Sequence, residues 1–197
     1  MTSVVTGTQP RGLADRCPGL LRPHLAEDGL LVRLRIPGGQ TTSRVLLEVS
    51  LIAADLGTGS LQLTSRGNLQ LRGLADRVLP ELVERLAALG LLPSVSHERV
   101  RNVIASPLTG LDLPDADAVR QNATAAKGTN RSGRTDLRPM VAELDAAVCA
   151  TAELAELPGR FLFALDDGRG DVSAVRFDLA YRAGAPGEGT VLVGDVR

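Results

Sequence analysis

Arg33 and Arg35 stand two positions apart in the stretch Gly29 to Ile36, where Val32, Leu34 and Ile36 fill the alternate places. A period of two is that of a half-buried strand, so both guanidiniums project from the face opposite the apolar one. Gln62, Gln70 and Arg72 fall on the corresponding face of two later strand candidates, and Arg66 occupies the turn between them. A guanidinium keeps its charge and presents a planar fork of donors, which suits carboxylates and oxyanions. A single arginine in such a pattern reads as solvated surface; several converging on one face point to an anionic ligand.

The elements that must carry these residues follow from periodicity. Pro37-Gly38-Gly39 ends the first strand, and from Ser43 the apolar spacing becomes helical, through Val45, Val49, Ile52 and Leu56, with Thr42 or Ser43 as cap and Gly57 as stop. Strand candidates Ser60 to Leu63 and Asn68 to Leu71 flank a turn at Ser65, Arg66 and Gly67, with Leu61, Leu63, Leu69 and Leu71 available to the core. A second amphipathic helix spans about Val78 to Leu89, striped by Leu79, Leu82, Val83, Leu86 and Leu89; Pro80 sits in its first turn and Gly90 stops it. A strand at Asn102 to Ala105 would complete a βαββαβ order, the split ferredoxin-like arrangement, over Gly29 to Ser106.

Leu111 to Thr135 is polar and broken, containing Pro114 and AAKGTNRSGRT, and reads as a linker. Beyond it Asp136 can cap a helix with Pro139 in its first turn and Val141, Leu144 and Val148 on one face. Strand candidates follow at Arg160 to Leu165, Val172 to Tyr181 and Thr190 to Gly194, the first two joined by Asp166-Asp167-Gly168. The class expected is α+β: a ferredoxin-like half-domain over residues 1–110, a linker over 111–135, and part of a second α+β domain over 136–197. An apolar strand so near the chain end suggests a domain that is incomplete.

Composition narrows the function classes. Hydrophobic residues make up 44% of 197, ample for a core, and the net charge of −1 provides no general cationic field for nucleic acid. Aromatic residues at 2%, with no Trp, remove the stacking platforms of single-strand binders. No stretch reaches the roughly 18 apolar residues of a membrane span and the N-terminus lacks a secretory pattern, so a cytoplasmic protein with no membrane or nucleic-acid partner is expected. Cys17 and Cys149 are too far apart for a metal or disulfide spacing motif. Cys17, in a CPG motif, reads as a structural residue beside a turn, Cys149 as half buried near a helix end, and His24 as solvated.

Three segments carry a resemblance: RLRIPGG at Arg33 to Gly39, LTSRGNLQLRG at Leu63 to Gly73, and VRNVIASPLTG at Val100 to Gly110. Together with their spacing they resemble the three N-terminal motifs of the nitrite and sulfite reductase superfamily. The upstream CPGLLRPHLAEDGLLVRLRIPGG and the downstream LPGRFLFALDDG are more similar to the precorrin-3B synthase branch. The resemblance implies that Arg33, Arg66 and Arg101 line a pocket for tetrapyrrole carboxylates or a bound oxyanion, that Gln70 and Arg72 face the macrocycle, and that His97 stands at a polar pocket position.

Where the reductases carry two lysines that hold and protonate the substrate oxyanion, this sequence has Arg160 and Leu162. Arg160 keeps a cation for the ligand; Leu162 removes one, which argues against sulfite or nitrite reduction. In the precorrin-3B synthases the tetrapyrrole, precorrin-3A, is itself the substrate and is oxidised with dioxygen. The family's 4Fe-4S cluster needs four thiolates from the C-terminal half, and full-length members repeat the ferredoxin-like unit. The expectation is therefore an N-terminal half of such an oxidoreductase in cobalamin biosynthesis, binding tetrapyrrole through Arg33, Arg66, Gln70, Arg72, Arg101 and Arg160. By itself it is expected to bind no cluster, iron or sirohaem, to lack activity, and to pair with a C-terminal half polypeptide or another copy of itself. The alternatives are a fragment of a sirohaem-dependent nitrite or sulfite reductase and a non-catalytic ferredoxin-like assembly module.

Overall fold

A three-residue strand, β1 (His24–Ala26), turns at Glu27 and Asp28 into β2 (Gly29–Leu34), the strand predicted by alternation. This computed structural model describes residues 17–111, 135–185 and 187–194; most of the expected linker Leu111 to Thr135 lies outside them. Helix α1 (Ser43–Leu56) starts where its cap predicts: Thr42 Oγ1 accepts from Val45 N at 3.2 Å, and Gly57 closes the other end. β3 (Leu61–Leu63) and β4 (Leu69–Leu74) form the expected hairpin, followed by α2 (Leu79–Ala88). Val49, Ile52 and Ala53 of α1 and Leu82 and Leu86 of α2 pack on Val32, Leu34, Leu69, Leu71 and Leu74. Burying each of the larger aliphatic side chains contributes about 1.5–3 kcal/mol, so the two helices are held chiefly by this one apolar layer.

The sheet runs β1-β2-β4-β3 with every neighbour antiparallel. In a split βαββαβ unit the last strand would return beside the first. That place is taken by β1. The strand expected at Asn102 to Ala105 exists as β5 (Val103–Ala105), but it pairs in parallel with β6 (Phe163–Asp166) in a second sheet, ordered β5-β6-β7-β8. Its apolar residues explain the choice: Val103 and Ala105 bury themselves against Val141, Val148, Phe163 and Leu165, a core separate from the first.

Two further differences concern the first sheet. Leu63, expected in the core, is 75% exposed, because β3 is a short edge strand and only Leu61 reaches the apolar layer. In β4 the register slips by one residue between Leu71 and Leu74, opposite Val32 and Leu30. Gly73, at φ +66°, takes the left-handed conformation that such a bulge requires. Beyond it Leu74, not Gly73, points inward, and Arg72 leaves the row occupied by Gln70.

The second unit is a βαβ crossover. Helix α3 (Arg138–Ala150) connects β5 to β6 and buries Val141 and Val148. Asp136 is not itself the cap residue, which is Leu137; its carboxylate nevertheless accepts from Arg138 N at 3.0 Å. All four residues of β6 are buried, as befits a central strand with parallel neighbours. It was expected to lead through Asp166-Asp167-Gly168 straight into the next strand. Parallel pairing with β7 (Leu179–Ala183) forbids a tight turn, and residues 167–178 cross over instead. β8 (Gly189–Val193) closes the sheet as an antiparallel, largely exposed edge. No helix among the described residues is long and apolar enough to cross a membrane.

Candidate functional site

The two units meet at a cleft of about 220 Å³ lined by Cys17, Arg33, Arg35, Thr64, Ser65, Arg66, Asn68, Asn102, Gly159 and Arg160. Four of these are arginines and none is a carboxylate. Arg33 reaches it from β2 and Arg35 from just beyond that strand's end. Arg66 comes from the β3–β4 turn, and Arg160 from the loop before β6.

The turn is fixed by its own sequence. Thr64 N donates to Asn68 O at 2.8 Å, Gly67 N to Thr64 O at 3.0 Å, and Thr64 Oγ1 accepts from Asn68 N at 3.1 Å. Gly67 completes it at φ +69°, where a side chain would be strained. The Arg66 guanidinium then donates through Nη1 to the Arg160 carbonyl at 2.9 Å, linking the two loops that carry these cations.

Behind them, Asn68 Oδ1 accepts from Ile36 N at 2.9 Å and its Nδ2 donates to Asn102 Oδ1 at 3.3 Å. Asn102 Nδ2 donates in turn to the carbonyls of Gly159, at 2.6 Å, and Arg99, at 3.1 Å. These two buried amides tie the end of the first sheet to the start of the second. Sequence reasoning placed Asn68 only as a polar strand residue and gave Asn102 no role. The signal available was a pair of amides at the starts of two otherwise apolar strands.

Arg35 has the most telling environment. It is 3% exposed, and donates through Nε to Arg99 O at 3.1 Å and through Nη2 to Pro18 O at 3.4 Å and Gly159 O at 3.5 Å. Its Nη1 is buried with no partner. Desolvation, reinforced by the nearby Arg33 charge and opposed by Glu98 and Cys17, lowers its pKa to about 10. Holding this side chain charged at neutral pH costs on the order of 3 kcal/mol, which an anion in the cleft would offset. Glu98, also buried, accepts from Leu20 N at 2.9 Å; burial raises its carboxyl pKa against those hydrogen bonds and the Arg35 and Arg99 charges.

Arg33 and Gln70 face each other in register, as do Gln70 and Gln62. Arg33 Nη2 donates to Gln70 Oε1 at 3.0 Å and Gln70 Nε2 to Gln62 Oε1 at 2.9 Å, while Arg33 Nε is buried and unpartnered. Gln70 thus supports Arg33 without lining the cleft. The expected open face is in fact closed at this end, with Gln70 only 8% exposed.

Two other arginines from the sequence argument are not brought to the cleft. Arg72, redirected by the bulge, makes a forked pair with Asp28 at 2.8 and 2.9 Å. Arg101, 5% exposed, turns toward α3 and grips Asp145 at 2.7 and 2.6 Å. His97 is buried away from the cleft, its ring nitrogens within hydrogen-bond distance of Ser94 Oγ and Ser96 Oγ on one side and Thr151 O on the other. His24 is exposed on β1.

A fold of this kind, with this cleft, places the chain in a defined class: residues 22–89 match the family model of the nitrite/sulfite reductase ferredoxin-like half domain, and the chain carries that half domain. Among particular relatives, it is 32% identical over 164 residues to the ferredoxin–nitrite reductase of Synechococcus elongatus, covering 80% of this chain and 29% of that protein. It is 29% identical over 170 residues to a precorrin-3B synthase of a Sinorhizobium species, covering 85% and 32%. The Mycobacterium tuberculosis NirA structure superposes with a TM-score of 0.58 over 78% of this chain and 25% of that one, at 20% identity, a likeness of fold. The chain therefore spans less than a third of the length of each.

A 4Fe-4S cluster does not fit the residues present. It needs four thiolates, and the sequence has two cysteines, of which Cys17 lines the cleft and Cys149 lies on α3. The carboxylate edge of a tetrapyrrole fits the donor set better: four guanidiniums, one with an orphaned buried N–H, and two fixed amides.

Proposed function

We propose that this chain is the tetrapyrrole-binding N-terminal part of a precorrin-3B synthase-like oxidoreductase of cobalamin biosynthesis. In this reading Arg33, Arg66 and Arg160, with Arg35 behind them, hold propionate or acetate side chains of the macrocycle. The observation that carries it is the unpartnered Nη1 of buried Arg35 in a cleft with four arginines and no acidic side chain. The 4Fe-4S cluster and any catalytic iron belong, on this reading, to a C-terminal half supplied by another polypeptide, and this chain alone is inactive. The interface for such a partner would include the exposed edge strand β8, where Val191 and Val193 face solvent; self-association through that edge is the alternative.

Leu162 favours precorrin over a small oxyanion. Its side chain is buried in the protein, 1% exposed, so the position beside Arg160 offers the cleft no second cation to protonate nitrite or sulfite. The second reading, a sirohaem-dependent reductase fragment, is supported by the 32% identity to a ferredoxin–nitrite reductase.

The test is a titration of the purified chain with porphyrins of graded carboxylate number, followed by fluorescence. Octacarboxylate uroporphyrin should bind, tetracarboxylate coproporphyrin more weakly, and salt should weaken both. Equal affinity for both would contradict carboxylate recognition. For the choice between readings, the complete enzyme is purified: a sirohaem absorbance band supports the reductase and its absence the cobalamin enzyme.

A further inference from the structure

Cys17 shares the cleft with Arg33, Arg35, Arg66 and Arg160, and nothing in the proposed tetrapyrrole contacts uses its sulfur. Its place is held firmly. The Pro18 carbonyl accepts from Arg35 Nη2, Leu20 N donates to the buried Glu98 carboxylate, and Gly19 lies so close to that carboxylate that a Cβ there would overlap it. The thiol is half-buried, hence reachable, and the partnerless Nη1 of Arg35, itself nearly wholly buried, lines the same cavity.

A thiol ringed by guanidiniums is favoured as the thiolate, the form that attacks disulfides, and the same charges gather anionic reagents. The second cysteine is a contrast within the same chain: burial pushes the Cys149 thiol up, and the Arg101 charge beside it is already committed to Asp145.

We propose that Cys17 is a thiol–disulfide exchange site for anionic disulfides of the glutathione class, and that the mixed disulfide occupies the arginine cleft and shuts out its carboxylate ligand. In the exchange the Cys17 thiolate attacks one sulfur of oxidised glutathione. The bond from Cys17 Sγ to that sulfur forms, the glutathione S–S bond breaks, and the other half leaves as a thiolate that takes a proton from water. Cys17 is oxidised and one glutathione is reduced, so no further oxidant is needed. This rests on the cleft being an anion site, but not on which anion it serves.

The experiment incubates the full chain with oxidised glutathione at neutral pH and follows modification by intact mass and peptide mapping. Cys17 should be modified about tenfold or more faster than Cys149, and citrate should protect it. The double variant Arg66→Gln/Arg160→Gln should slow the reaction severalfold with glutathione disulfide, and with neutral dithiodipyridine far less. Equal reactivity of Cys17 and Cys149, or an equal effect of the variant on both reagents, would overturn the proposal. Citrate binding is measured by calorimetry on the same sample. If citrate binds and Cys17 is inert, the exchange site falls while the anion cleft stands; if citrate does not bind, both fall.

Discussion

Arginines in this protein live in two kinds of place. Around the periphery and in the second unit they meet carboxylates: Arg72 with Asp28, Arg101 with Asp145, Arg138 with Asp136 and Arg169 with Asp167. At the junction of the two units, Arg35 and Arg66 are bound to backbone carbonyls and Arg33 to a glutamine amide. A carbonyl or amide fixes a guanidinium without cancelling its charge. The paired arginines are therefore structural in effect, whereas those of the cleft are positioned and left electrostatically unmet. The difference separates a stabilising cation from a ligand-binding one, even though both kinds occur in segments that resemble the same family.

That contrast can be broken by exchanging expectations between the two groups. Arg101→Ala should destabilise the fold by about 3 kcal/mol in urea unfolding, because it leaves the Asp145 carboxylate facing a partly buried site without its partner. It should leave anion affinity within about twofold of wild type; a loss of affinity with no loss of stability would move Arg101 into the ligand-binding group. Asn68→Ala should cost about 2 kcal/mol by removing the acceptor for Ile36 N and the donor to Asn102, and, unlike Arg101→Ala, should also weaken anion binding by loosening the junction. Retention of full affinity would show that the junction tolerates the loss.

Glu98 offers a sharper and smaller test through pH. Its carboxyl is raised in the folded state, chiefly by burial. A raised acid stabilises the fold below its unfolded pKa, and that contribution is lost as pH rises through the folded value. The stability of wild type relative to Glu98→Gln should therefore fall from about pH 4 toward neutrality. A difference that stays flat across that window would mean the Glu98 carboxyl is not shifted.

How much of this was visible in the sequence depends on the range of the interaction. Helix α1 was legible because its stripe, Thr42 cap and Gly57 stop are all local. Strand β1 was not, since His24 to Ala26 carries no alternation and exists only through pairing with β2. The strand at Val103 to Ala105 was visible but its sheet was not: three apolar residues fit either core, and the decision lies with α3 and β6, dozens of residues onward. Among the site residues, alternation correctly grouped Arg33 with Arg35, and the turn signal isolated Arg66. Arg72 follows Gln70 at the next even position, and only the bulge at Gly73 takes it out of the row; the glycine was the available hint. Nothing near Arg101 announces Asp145, which approaches it from 44 residues away.

The central claim is that charge at the junction, and not charge in general, makes the anion site. It is tested most directly by calorimetric titration of uroporphyrin into two double variants with the same net charge. Arg33→Gln/Arg66→Gln removes two cleft cations, and Arg72→Gln/Arg85→Gln removes two that face Asp28 and Asp55. The first should lose about a hundredfold or more in affinity, at roughly tenfold per charge-assisted hydrogen bond, and the second should bind like wild type. Equal loss in the two would contradict the account, because the ligand would then be responding to the protein's total charge and not to the cleft.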